Sequence, residues 1–174
     1  MEQIEFQGQK YKRVGSKWTD SSNFVVPEGL QRDLNFAYLQ SRDISDLSVD
    51  ELIEEGDKFK DTTSYFFAIK CYERAAELCG RRTLQFLLPR LSSCYRKKKT
   101  PQKTIEMFTA AKEKYGEDFI TPVLLTTVAA AYCDLNEYEN AMRCCKWALK
   151  KYGGEMDPSL RNVYVRVKKN LGQE

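Results

Sequence analysis

The sequence predicts an all-α fold of repeated antiparallel helix pairs, preceded by a short N-terminal segment of β-hairpin-like or extended structure. Three observations lead to this prediction. Segments of 29 residues recur three times and align without a gap. Within each segment, apolar side chains return at helical spacing. Residues 1–26 do not follow that spacing and instead alternate apolar with polar side chains, as strands do.

The composition is that of a globular protein, because 30% of the 174 residues are charged and 42% are hydrophobic. The chain contains no histidine, which excludes Ser-His and Cys-His nucleophile systems and histidine-ligated zinc. No apolar run is long enough to predict a membrane span. The N-terminal residues lack the apolar stretch of a secretory signal, so we expect a cytoplasmic protein.

The N-terminal segment, residues 1–26, has the pattern of one or two short hairpin strands. Ile4 and Phe6 alternate with polar residues, and Gly8 and Gly15 are turn signals. The aromatic side chains that follow need a surface on which to pack. The sequence leaves two roles open for this segment: a cap on the first repeat, or an edge strand that pairs with a partner.

A helix over residues 27–40 comes next and opens on a proline, whose missing N–H costs nothing in a first turn. Its apolar residues recur at helical spacing. We therefore expect Leu30, Leu34 and Tyr38 to face the core, with Phe36 as a further candidate.

The three repeats span residues 52–80, 88–116 and 125–153, and each reads as two helices. Four landmarks recur at equivalent positions of the three repeats. They are a small residue (Gly56, Ser92, Ala129), an aromatic residue (Phe59, Tyr95, Tyr132), an alanine (Ala75, Ala111, Ala148) and a closing glycine (Gly80, Gly116, Gly153). One such pair cannot bury its apolar face alone, so the pairs must stack. We therefore predict a helical domain over residues 27–174, with repeats at about 49–83, 84–120 and 121–156.

Local end signals agree with these helices. Capping side chains precede the predicted first turns. A capping box is present at Ser48 with Glu51 and at Asn136 with Glu139. A capping side chain stands directly before a proline at Thr100, Thr121 and Asp157. Glycines close the repeats. A last helix, at about 158–171, places Leu160, Val163, Val165 and Val167 among charged residues, and we expect it to cover the open edge of the third repeat.

The landmarks resemble those of tetratricopeptide (TPR) repeats over residues 49–154. The third repeat matches best, at Ala129, Tyr132, Tyr138, Ala141, Ala148 and Leu149. The first repeat matches at Gly56, Tyr65, Ala68, Tyr72 and Ala75, and the second at Tyr95, Phe108 and Ala111. The second repeat has Thr104 where the family favours alanine, and the period exceeds the usual length of about 34 residues. The resemblance implies a right-handed superhelix whose first helices line a concave groove. It also implies protein or peptide binding without catalysis and without a cofactor.

All six cysteines are interpreted as structural thiols. Five lie within predicted helices, Cys79 falls at a helix end, and no C-x-x-C pattern is present. Without a secretory signal we expect a reducing compartment, so disulfides are not predicted.

Carboxylates cluster in the first repeat, at Asp50, Glu51, Glu54, Glu55, Asp57 and Asp61. A general acid–base pair would need an enclosing pocket that shifts a pKa. At this spacing the carboxylates wrap around one helix, so we interpret them as a solvated face. No nucleophile, phosphate-loop or metal-ligand motif is present, and we predict no catalytic residue and no metal site.

A basic run in the second repeat is the most informative functional feature. Residues 81–103 contain eight basic residues and no acidic one. The run could attract the acidic first repeat and end in a solvated lysine loop. It could instead form a basic groove for an acidic peptide. The sequence leaves both interpretations open.

The TPR resemblance also names groove-facing positions for a partner. They are Ile53, Asp57, Phe86, Pro89, Arg90, Ser93, Arg96, Lys97, Val123, Thr126 and Ala130. The basic clamp with which some TPR proteins hold a C-terminal carboxylate is absent, because Arg90 is the one basic residue left at its positions. Pro89 should bend its helix or delay its start.

The predicted function is therefore that of a non-enzymatic protein-interaction adaptor or scaffold that binds a peptide or a partner protein in the concave groove, where a short amphipathic helix or an extended acidic-hydrophobic segment would fit. Short solenoids also pair through their end helices, so a homodimer is compatible with the sequence. The alternative is a nucleic-acid-associated module that uses the basic run and the last helix, with Arg161, Arg166, Lys168 and Lys169.

Overall fold

The computed structural model describes residues 2–41 and 44–172; residues 1, 42, 43, 173 and 174, which belong to predicted segments, lie outside the described residues. The described residues form strands β1 (Gln3–Phe6), β2 (Gln9–Val14) and β3 (Lys17–Thr19), and helices α1 (Glu28–Ser41), α2 (Val49–Asp61), α3 (Tyr65–Leu78), α4 (Arg81–Lys97), α5 (Pro101–Tyr115), α6 (Pro122–Asp134), α7 (Tyr138–Lys151) and α8 (Pro158–Asn170). A mostly helical fold with a small N-terminal β-structure is confirmed. Among the described helices, none has the length and apolar character needed to cross a membrane.

The chain divides into two compact units, residues 1–79 (unit 1) and residues 80–174 (unit 2). Unit 1 contains the sheet and α1 to α3. Unit 2 contains α4 to α8. Each unit therefore has its own packed interior.

The sheet of unit 1 is antiparallel, in the order β1-β2-β3. The predicted turns form at Gly8 and Gly15, which have positive φ angles of 77° and 60°, where glycine carries no steric penalty. Arg13 pairs with Trp18 across the second hairpin. The segment thus has three strands, one more than the sequence analysis allowed for, because the second turn returns the chain alongside β2.

Polar side chains of α1 connect this helix to the sheet. Gln31 accepts a hydrogen bond from the Trp18 backbone N–H at 2.8 Å and donates to the Trp18 carbonyl at 2.8 Å. The indole N–H of Trp18 donates to Asn35 Oδ1 at 2.7 Å. Trp18, Gln31 and Asn35 are all buried. The N-terminal sheet is therefore part of the core of unit 1.

The inward face of α1 was predicted only in part. Leu34 and Tyr38 are buried as expected, and Leu30 is half-buried. Phe36 is 49% exposed, so its assignment to the core is wrong. Gln31 occupies the core face instead, because the buried sheet backbone needs hydrogen-bond partners there.

Arg13 lies at the centre of unit 1 and makes a buried ion pair. Its Nη1 donates to Glu55 Oε2 at 2.7 Å, and the two side chains are 0% and 6% exposed. The guanidinium also lies 5.7, 5.2 and 5.1 Å from the ring centroids of Trp18, Tyr38 and Phe59. Glu55 is therefore an exception to the predicted solvated carboxylate face, because it neutralises an arginine that the sheet inserts into the core.

Helices α2 and α3 form a closely packed pair. The predicted capping box at Ser48 is confirmed, with Glu51 bonding back to the Ser48 backbone N–H. At the crossing, a Cβ on Gly56 would overlap the ring of Tyr72, whose Cδ1 and Cζ would be 2.6 and 2.9 Å away. The Tyr72 hydroxyl donates to Asp57 at 2.5 Å. The small residue predicted at this point is thus required by the close approach of the two helices.

In unit 2, helices α4, α6 and α8 lie side by side, with α4 against α6 and α6 against α8. Helix α5 packs on α4 and α6, and α7 packs on α6 and α8. Unit 2 is therefore two-layered, and α4, α6 and α8 form one layer, the first-helix layer. The last helix covers α6 and α7, as expected.

Three details of the helix ends in unit 2 contradict or narrow the predictions. Helix α4 begins at Arg81 with Gly80 as its N-cap, so Pro89 lies inside the helix and does not delay its start. Asn136 does not cap α7, because its φ is 62° and Glu137 occupies the N-cap. The Thr100 side chain forms no capping bond either, and its hydroxyl instead donates to the Tyr95 carbonyl at 3.1 Å.

The remaining caps and buried residues of unit 2 follow the sequence closely. Thr121 and Asp157 accept hydrogen bonds from the first turns of α6 and α8, as predicted. In α8, Leu160 and Val167 are buried, but Val165 is 60% exposed and does not join the core. Across both units, five of the six cysteines are buried, and Cys79 is partly exposed.

Candidate basic basin of unit 2

Four basic side chains line a cavity on the first-helix layer of unit 2. The cavity has a volume of about 560 Å³ and is called the basic basin here; its lining residues are Ser93, Arg96, Lys97, Lys99, Pro101, Asp134, Leu135 and Arg166. They come from the end of α4, the turn into α5, the end of α6 and the middle of α8. The basin is thus assembled by all three helices of one layer.

One carboxylate joins two arginines within the basin. Arg96 Nε donates to Asp134 Oδ2 at 2.8 Å, and Arg166 Nη1 donates to Asp134 Oδ1 at 2.9 Å. Arg166 Nη2 also donates to the carbonyl of Cys133 at 3.0 Å. These charge-assisted bonds fix the positions of both guanidinium groups relative to the end of α6.

The electrostatics of the bridge stabilise its charged form. Burial alone would raise the pKa of Asp134, but hydrogen bonds and attraction from Arg96 and Arg166 bring it below its usual value. The hydrogen bond with Asp134 raises the pKa of Arg166, against a smaller opposing effect of burial. Asp134 is therefore ionised at neutral pH and neutralises one of its two arginines.

The basin keeps an excess of positive charge after this pairing. Four cations face a single carboxylate in its lining. Lys97 and Lys99 are exposed, and the side chains of Arg96 and Arg166 are 26% and 46% exposed. Within residues 44–172, the guanidinium of Arg96 donates from Nε alone, which leaves its two terminal nitrogens to the basin. The arrangement can therefore accept an anionic group from outside the chain.

The structure brings three of the predicted groove residues together in this basin: Ser93, Arg96 and Lys97. The sequence analysis did not assign Asp134 to the site. Arg166 was noted only as part of a basic last helix, which was the one signal that could have placed it here.

The other predicted positions of unit 2 lie elsewhere. Phe86 and Val123 are 62% and 51% exposed, whereas Thr126 and Ala130 are buried at 6% and 5% exposure. Arg90 is half-buried and donates to the Phe86 carbonyl at 3.1 Å. Pro89 is half-buried within α4 and has no place in the basin lining.

Two predicted positions belong to unit 1. Ile53 is half-buried on α2. Asp57, one turn further along α2, accepts the hydroxyl hydrogen bond of Tyr72. The carboxylate of Asp57 thus takes part in the packing of α2 against α3.

Comparison with solved structures places the fold among known ones. The chain superposes on the crystal structure of the Sgt2 TPR domain from Aspergillus fumigatus with a TM-score of 0.63 and 16% sequence identity, over 72% of this chain and 80% of that one. No protein-family model and no curated protein sequence matches the chain. The structural likeness agrees with the repeat landmarks in the sequence, and the chain has the fold of a TPR domain.

Proposed function

We propose that this protein is a non-enzymatic adaptor or scaffold that binds a segment of a partner protein on the first-helix layer of unit 2. The observation that supports the proposal is the basic basin, in which four cations surround a cavity of about 560 Å³. A helical-repeat fold offers such a layer as a continuous binding surface. The segment bound there is acidic, because the lining keeps a positive excess around Asp134.

The apolar part of the lining defines the rest of the partner segment. Pro101 and Leu135 border the same cavity as the basic side chains. The side chain of Phe86, on the helix that supplies Arg96, is 62% exposed. A segment that carries acidic side chains next to apolar ones matches both properties. Binding of this kind takes place in the cytoplasm in our proposal.

The test is a comparison of captured proteins from a native lysate between the parent chain and a double variant, Arg96→Glu with Lys97→Glu. The matched control is Arg143→Glu with Lys146→Glu, which makes the same change of charge on exposed residues of α7. We expect a protein that the parent and the control retain and the basin variant loses. Equal retention by all three would place the binding surface elsewhere.

A nuclease arm separates this proposal from the nucleic-acid alternative. If all captured material disappears after nuclease treatment, and affinity falls steeply with salt, the basic surface binds phosphate backbone and the protein-adaptor proposal is wrong. If the captured protein survives nuclease treatment, the partner is a protein.

A further inference from the structure

We propose that the group recognised in the basic basin is a phosphoryl ester on a side chain of the bound protein segment. This inference rests on the proposed function and specifies its ligand. The basin already contains one carboxylate from the chain itself, and its surplus of charge and of donors fits a dianion better than a second carboxylate.

The charge of the basin supports a dianionic ligand. Asp134 offsets one of the four cations, so three positive charges remain around the cavity. A single aspartate or glutamate of a partner would neutralise one of them. A phosphorylated side chain carries a charge of about −1.5 to −2 near neutral pH, so it neutralises about two. Attraction across the cavity is therefore stronger for the phosphoryl group.

The donor geometry leads to the same ligand. Asp134 holds Arg96 by Nε, so the planar pair of terminal nitrogens of Arg96 remains as a fork for two oxygens. Lys97 and Lys99 add flexible ammonium donors in the same lining, and Ser93 adds a hydroxyl. A phosphoryl group has three terminal oxygens, whereas the fork alone satisfies both oxygens of a carboxylate. The additional donors can therefore contact the third oxygen of a phosphoryl group, for which a single carboxylate has no counterpart.

The binding experiment uses the full chain and three peptide libraries that differ at one central position. That position is phosphoserine, glutamate or alanine, and apolar residues flank it in all three. We expect the phosphoserine library to bind at least about tenfold tighter than the glutamate library, the factor that one additional charge-assisted hydrogen bond gives. Equal or tighter binding of the glutamate library overturns the inference and leaves the proposed function standing.

The conservative variant Arg96→Lys tests the fork, because it keeps the charge and removes the planar pair of donors. It should weaken phosphoserine binding by about tenfold, again the effect of one lost charge-assisted bond. Arg143→Lys on α7 is the control and should leave binding unchanged. Circular dichroism checks that both variants fold. If Arg96→Lys binds phosphoserine peptides as tightly as the parent, the fork does not read the ligand and the inference is wrong.

A second measurement does not depend on the peptide sequence. Phosphoserine and glutamate, as free amino acids, are titrated into the chain while the side-chain Nε–H NMR signals of Arg96 and Arg166 are followed. We expect shifts that saturate with phosphoserine at concentrations where glutamate has little effect. Equal responses to both, or no response to either, overturn the inference.

A competition experiment tests the nucleic-acid alternative. If a short single-stranded oligonucleotide displaces bound phosphoserine peptide more strongly than any competing peptide does, the basin is a nucleic-acid surface and the inference is wrong. Lysate capture with the Arg96→Glu and Lys97→Glu variant separately decides the proposed function.

Discussion

Replacement of Arg13 by methionine should destabilise unit 1 strongly. The side chain of Arg13 is 0% exposed and lies 2.7 Å from the 6% exposed carboxylate of Glu55. Removing one member of a buried ion pair costs about 3–5 kcal/mol. Lys58 remains 2.9 Å from the other oxygen of Glu55 and keeps it partly neutralised. We therefore expect a loss of about 3 kcal/mol, at the lower end of that range.

The assay is urea unfolding followed by tryptophan fluorescence. The chain has two tryptophans, so a Trp147→Phe background leaves Trp18 as the reporter of unit 1. Trp18 is fully buried and its ring centroid lies 5.7 Å from the Arg13 guanidinium, so its emission reports loss of this packing directly. With a urea dependence of about 1–3 kcal/mol per molar, the midpoint should fall by roughly 1–3 M.

A double change and a matched control make the result specific. Arg13→Met combined with Glu55→Met should recover part of the loss, because an apolar pair of similar size often replaces a buried ion pair without cost. Lys10→Met, on an exposed position of the same strand, should change the free energy of unfolding by less than about 0.5 kcal/mol. If Arg13→Met lowers the free energy of unfolding by less than about 1 kcal/mol, and the double variant is no more stable than Arg13→Met, this account of the core is refuted.

Three further measurements test packing, electrostatics and thiol burial. Gly56→Ala should lower the free energy of unfolding by about 1–3 kcal/mol, because its Cβ overlaps an aromatic ring of α3, whereas Gly29→Ala, with open space around it, should raise it by up to about 1 kcal/mol in chemical denaturation. Asp134→Asn should reduce stability at neutral pH, and since the pKa of Asp134 is lowered on folding, its difference from the parent should begin to shrink near the ordinary Asp pKa of about 3.9 and be lost only as the pH falls through the lower folded-state pKa. At pH of about 8, a thiol reagent should react with Cys79 before the other thiols, because Cys79 is partly exposed, although partial burial raises its pKa too. Buried thiols such as Cys145, whose pKa burial raises to about 12, should react only after unfolding, and an early phase that survives Cys79→Ala would contradict this.

Helix positions were predictable because their signals are local. The caps at Thr121 and Asp157 need only a side-chain oxygen and a backbone N–H three residues away, and both were predicted. The predicted cap at Thr100 is absent for an equally local reason, because its hydroxyl is directed to the Tyr95 carbonyl of the preceding helix. A capping residue type thus predicts where a helix begins better than it predicts the bond that its side chain makes.

Burial on α1 could not be predicted from helical spacing alone. Spacing and hydrophobicity placed Phe36 inside, but the core face of α1 also has to satisfy the backbone of β3, so Gln31 lies there. The requirement comes from a strand that precedes the helix by a loop, and nothing within the helix sequence states it. Buried polar residues are assigned by tertiary hydrogen bonds, which a periodic pattern does not contain.

The candidate site was predictable only where charge is dense along the chain. Arg96 and Lys97 stood out because they belong to a run of bases without an acid. Asp134 is 38 residues from Arg96 and 32 residues from Arg166, so their bridge has no signature in the sequence. The density of basic residues along the chain identified the part of the basin that α4 contributes. The parts that α6 and α8 contribute result from the packing of the three helices.

Two arginine–carboxylate pairs in this chain show what separates a structural pair from a candidate binding site. Within the described residues, Arg13 leaves Nε and Nη2 without a hydrogen bond, but both atoms are buried and the guanidinium is enclosed by aromatic rings, which satisfy it by cation–π contact. Arg96 also leaves two nitrogens unused, but its side chain is 26% exposed beside a cavity lined by further cations. The chemistry of the two pairs is the same. The spare donors of Arg13 face aromatic rings, which gives Arg13 a structural role, whereas those of Arg96 lie beside an open cavity, which supports the partner-binding role proposed above.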